Sequence, residues 1–165
     1  MRQQTPRKTR GFTLAEMLIS LALMAVLVAA AAVAIYAAEA SHAYNSEKNE
    51  LITRARGVLD RISTDIRRAN SFTISFTITG DNVLDVNLPS GLVHTYAYSS
   101  AGGGTLLYTE TDLALNTTTP IVMTPYVQSF TVTDRSPACL IQLALKGTLS
   151  QCQISVTATP AKALF

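Results

Sequence analysis

A carboxylate stands at Glu16 just as an apolar run begins, in the stretch RGFTLAEMLISLALMAVLVAA, with Gly11 and Phe12 a few residues before it. An ionised side chain in a hydrocarbon layer is costly unless it is paired, so an acid at this place needs a dedicated cation or a route to water. The other chemistry-bearing residues offer less. His42 and His94 are the only histidines, and neither has Cys, Asp or Glu at a metal-ligating spacing, so both are expected to be structural or surface residues. No metal site and no cofactor is expected. There is no Gly-x-Ser-x-Gly and no base near the serines, so the chain reads as a non-enzyme. The AGGG of residues 101–104 lacks a following Lys-Ser/Thr and reads as a loose hairpin loop. Arg61, Arg67 and Arg68 alternate with Asp60 and Asp65, which predicts a solvated helix face with local ion pairs and no direct nucleic-acid binding.

Cys139 and Cys152 are the only cysteines. If they lie directly opposite each other in a hairpin, Leu143 faces Thr148 and residues 144–147 form the loop. That register allows a disulfide stabilising by roughly 3 kcal/mol. A turn centred nearer residues 147–150 instead puts the sulfurs too far apart and leaves two buried thiols. Residue types alone leave both registers open, and an oxidising compartment would permit the bond.

The elements that must position these residues follow from periodicity. Residues 17–38 carry no charge, and 22 residues of helix span roughly 33 Å, enough to cross a hydrocarbon core. Of the 13 Lys and Arg, Arg2, Arg7, Lys8 and Arg10 precede Gly11, and the other nine face 11 Asp and Glu. The basic end should stay on the cytoplasmic side, with the rest of the chain beyond the membrane. From residue 12 to residue 70 there is no proline and the only glycine is Gly57. Leu51, Ala55, Val58, Leu59, Ile62, Ile66 and Ala69 recur at three- and four-residue spacing, which predicts one helix over about residues 12–70, amphipathic in its second half. From Ser71 the period becomes two, with Phe72, Ile74 and Phe76 alternating with Thr73 and Ser75. Strands are expected at residues 72–78, 83–88, 92–98, 106–109, 126–133, 140–145 and 154–159, and residues 109–120 as a surface loop. The fold class is α+β: a long N-terminal helix packed on one small antiparallel sheet of five to seven strands.

The stretch RKTRGFTLAEML resembles the processing site of type IV pilin-like proteins: a short basic leader, Gly, then Phe-Thr-Leu-x-Glu and an apolar run. The resemblance implies that residues 1–11 are a prepilin leader, and that prepilin peptidase cuts between Gly11 and Phe12 and N-methylates Phe12. Residues 12–38 would then be the membrane and filament-core helix, 39–70 the amphipathic half and 71–165 the β-rich head. It also implies a partner for the acid. Phe12 and Glu16 share a helix face, and in the family this carboxylate meets the new terminal amine of a neighbouring subunit. ARGVLDRISTDIRRAN and the later strand segments are similar to PilW-like minor pilins and to the J-type minor pseudopilins of type II secretion. Implied partners are other pilins or pseudopilins through the N-terminal helix, prepilin peptidase, an inner-membrane assembly platform and, before assembly, the membrane itself. The implied location is the inner membrane, single-pass with the leader cytoplasmic, then a pilus or pseudopilus; the alternatives are a major pilin or a bitopic membrane-anchored binding protein. Heads of this family often close a C-terminal loop by a disulfide, which favours the Cys139–Cys152 bond.

Overall fold

The structure, a computed structural model, describes residues 12–76, 81–100, 103–112, 118 and 120–160. Its first element is the helix α1, Leu14–Arg68, and the chain divides into two compact units, Met1–Ala43 and Tyr44–Phe165. In the first unit the described apolar side chains of α1, from Leu14 to Ile35, are all largely exposed. The second unit contains the remainder of α1 and eight strands. They are β1 (Ser71–Phe76), β2 (Asn82–Asn87), β3 (Leu92–Ser99), β4 (Thr105–Asp112), β5 (Ile121–Pro125), β6 (Val127–Arg135), β7 (Ala138–Lys146) and β8 (Gln151–Ala158).

The face predicted to seek a core is the face that is buried. Leu51, Ala55, Val58, Leu59, Ile62 and Ile66 of α1 join Leu84, Val86, Tyr96, Leu106, Phe130, Ile141 and Leu143 in one cluster. Gly57 lies on the opposite, open side of the helix, where its weak helix propensity disturbs no packing. Arg67 and Arg68 occupy the last turn, where cations suit the helix dipole. The chain then turns sharply into β1, held by an Asn70 N–H that donates to the Asn87 carbonyl at 2.8 Å.

The strands form two antiparallel sheets where one was expected. One has the order β1-β2-β3-β4-β5 and the other the order β6-β7-β8. β6 links them: Val127 N–H donates to the Gly104 carbonyl at 3.0 Å, and Asn82 Nδ2 donates to the Phe130 carbonyl at 2.7 Å. Gly104 is needed for that approach, since it sits at φ +81° and a Cβ there would lie 1.8 Å from the Val127 oxygen. β4 runs on through Asp112 into the stretch expected as a loop, and Thr111 bridges to Thr118. β5 had no counterpart among the expected strands. Pro120 and Pro125 bracket it and read as turn residues, yet proline is tolerated on an edge strand, and β5 is an edge.

The disulfide register does not hold. In the β7–β8 ladder Cys139 faces Ala158 and Cys152 faces Leu145, so the two cysteines stand six ladder positions apart, about 20 Å. Both are free and buried. The turn is centred on residues 147–150, where Gly147 N–H donates to the Ser150 carbonyl at 2.8 Å. A side chain from α1 fixes that turn: Glu47 accepts from the Thr148 N–H and from the Leu149 N–H at 2.9 Å.

Candidate processing and assembly site

At the start of α1, Thr13 and Glu16 bond reciprocally. Thr13 N–H donates to Glu16 Oε2 at 2.8 Å, the Thr13 hydroxyl donates to the same oxygen at 3.0 Å, and Glu16 N–H lies 3.3 Å from Thr13 Oγ1. This is a capping box: the threonine caps the helix and the glutamate three residues on reaches back to the cap's own amide. The sequence reading missed Thr13, although a Thr-x-x-Glu ahead of an apolar run is a legible signal. Phe12 is 77% exposed, next to this cap. Glu16 is therefore aimed toward the first residues of the helix, with its Oε2 bonded to Thr13. Gly11 and the other residues expected as a leader lie outside the described residues.

Beyond Glu16 the helix carries no charged residue until Glu39. Leu18, Leu21, Leu27 and Val33 are each more than 60% exposed, a continuous patch far larger than a soluble surface carries without a partner. By length and composition α1 is the one described helix able to cross a membrane. A lipid layer, or the same segment of other subunits, would cover it.

In the head unit a second polar constellation appears that periodicity did not reveal. Asp65 Oδ2 lies 2.7 Å from His94 Nδ1 and accepts from the Tyr96 hydroxyl at 2.5 Å. Glu110 Oε2 lies 3.7 Å from His94 Nε2 and accepts from the Tyr108 hydroxyl at 3.0 Å. The Arg61 guanidinium stacks 4.2 Å from the Tyr108 ring centroid. Burial and the bond to Asp65 push the Tyr96 phenol well above its ordinary value, so it stays a donor. These residues pin α1 to β3 and β4. Among the described residues no group of three His, Cys, Asp or Glu is placed to hold a metal ion. His42 is exposed on α1.

The prokaryotic N-terminal methylation motif matches residues 6–32, taking in Gly11, Phe12, Glu16 and most of the apolar run. With the long helix and antiparallel sheets already described, the motif fits a type IV pilin-like protein. No characterised protein and no solved structure matches it. In a pilin-like chain the motif implies processing by prepilin peptidase and assembly with other pilins, and it points to a structural subunit. The exposed apolar helix is consistent with membrane anchoring. In the head unit burial favours the protonated thiols: it pushes Cys139 up to about 11 and raises Cys152 as well.

Proposed function

We propose that the protein is a minor pilin or pseudopilin, cut by prepilin peptidase between Gly11 and Phe12, N-methylated at Phe12 and assembled into a type IV pilus or a type II secretion pseudopilus. The observation that supports this most is the coincidence, within residues 6–32, of the methylation motif with an acid four residues after Phe12. Hydrolysis of the Gly11–Phe12 bond frees an amine on the helix face that carries Glu16. An ammonium within a few ångströms of that carboxylate neutralises it in an apolar setting. Residues 12–38 then exchange lipid for the corresponding helices of other subunits, through an inner-membrane assembly platform. Residues 39–70 and 71–165 supply the amphipathic half and the head. The minor role rests on the similarity of residues 55–70 and the head strands to PilW-like and J-type proteins, and a major pilin is the alternative.

A second reading has an observation of its own. The capping box gives Glu16 a helix-stabilising role that needs no cleavage, which is what a bitopic membrane-anchored binding protein would require. Intact mass and N-terminal peptide analysis of protein from its native membrane separates the two. A chain starting at methylated Phe12 is expected, and a chain starting at Met1 in a host with active peptidase refutes the pilin assignment.

A further inference from the structure

The head unit opens at Tyr44, and the side chains around that end do not resemble an ordinary soluble surface. Tyr44 is 41% exposed, Tyr126 59% and Leu149 57%. Lys48 Nζ stands 5.9 Å from the Tyr44 ring centroid. Two open clefts meet along residues 146–148: Tyr44, Lys146 and Leu149 line one, and Arg54, Tyr126 and Lys146 line the other. Tyr126 reaches this surface at a cost. Its φ of 63° is left-handed backbone, which costs a residue with a Cβ roughly 1–2 kcal/mol; in that conformation its carbonyl accepts from the Lys146 N–H at 2.9 Å, and its ring is left 59% exposed on this surface.

The charges at this end are sorted. Glu47 turns inward onto the amides of Thr148 and Leu149, and Glu50 is bonded to Arg54. Lys48 and Lys146 face outward. Tyrosine rings, lysines whose stems can lie along apolar surface and one leucine at a turn tip make up the usual composition of a membrane–water interface.

We propose that this end of the head, comprising Tyr44, Lys48, Tyr126, Lys146 and Leu149, is a lipid-contact surface seated in the headgroup layer of the bilayer that residues 17–38 cross. The occupant follows from the chain itself. Tyr44 comes only six residues after Ala38, and the headgroup layer extends about 5–8 Å beyond the hydrocarbon on each side. Tyr44 and the turn clamped beside it are therefore tethered close to that layer. Tyr126 and Leu149 supply apolar surface to the headgroup layer, and the two lysines meet lipid phosphate. The proposal rests on the membrane-crossing part of the functional reading and not on processing.

The chain has no tryptophan, so a single one reports without background. Full-length chain carrying Leu149→Trp, Tyr126→Trp or Ile121→Trp would be reconstituted into phosphatidylethanolamine/phosphatidylglycerol vesicles, some with lipids brominated high on the acyl chain. Ile121 is an exposed control: it pairs with Tyr108, which lies under Arg61, about 21 Å of helix beyond Glu47. Blue-shifted emission and several-fold stronger bromine quenching are expected for the tryptophans at 149 and 126 than for the one at 121. Equal, water-like emission and quenching at all three positions overturns the proposal. So does a shift at 149 and 126 that is absent in vesicles and appears only when other pilin subunits are added, because the surface is then a protein contact. The uncut chain reports as well as the cut one, so failure here is distinguishable from failure of the processing assignment.

Discussion

Replacing Gly147 with alanine should change the sign of its effect according to the residue at position 47. A Cβ at Gly147 would lie 1.8 Å from Glu47 Oε1 and 2.8 Å from its Cδ, so the carboxylate must leave the β7–β8 turn. It then forfeits its bonds to the Thr148 and Leu149 amides. Hydrogen bonds to a charged group contribute about 1.5–3 kcal/mol, and partial exposure of Glu47 lowers that to about 1–2 kcal/mol for the pair. Against this, alanine restricts the unfolded chain and returns about 0.4–1 kcal/mol. Gly147→Ala in the natural chain should therefore destabilise the head by about 1 kcal/mol, the difference of those two terms. In a Glu47→Ala background no carboxylate remains to displace, and the same substitution should be neutral or stabilising by about 0.4–1 kcal/mol. Urea unfolding in detergent micelles, followed by tyrosine near-UV circular dichroism, gives the four stabilities of the cycle. An equal loss from Gly147→Ala in both backgrounds would show that the clamp contributes nothing and that the turn itself rejects a side chain.

Thr13→Ala removes the cap and should cost the first turn of α1 about 1 kcal/mol, seen as faster amide exchange at residues 14–17 in micelles while the head is unchanged. Ser150 Oγ is buried without a hydrogen-bond partner among the described residues, so Ser150→Ala should leave stability unchanged or raise it by up to about 1 kcal/mol in the same urea assay. The Cys139 thiol is raised by burial from 9.0 to about 11, so the folded head holds that proton more tightly than the unfolded chain. Its contribution is fully present below pH 9 and is lost as pH rises toward 11, and a urea midpoint that climbed over that window would contradict the sign.

What could be read from the sequence was whatever depends on near neighbours. The charge-free run, the three- and four-residue spacing from Leu51 to Ile66 and the period of two from Ser71 each state their element locally, and the acid after Gly11 and Phe12 states its oddity locally too. The cysteine register failed for the opposite reason. The turn at residues 147–150 is centred by Glu47, about a hundred residues earlier in the chain, and no property of residues 139–152 announces that contact. Alternation likewise shows that β6 is a strand without showing that it opens a second sheet. The pairing of Asp65 with His94 and Tyr96 joins residues 29 and 31 positions apart, and it becomes visible only once α1 lies against β3. Thr13 was within reach, since its signal is four residues long.

The cap on α1 bears on how firmly subunits of this kind could hold one another. Glu16 is not a bare ion waiting for rescue, because its oxygen already accepts two bonds from Thr13. A cation arriving from a neighbour would meet a carboxylate already partly neutralised at that oxygen, so the contact adds less than pairing a bare ion would. Cohesion between such subunits would then rest largely on the apolar surface of α1 that follows the acid.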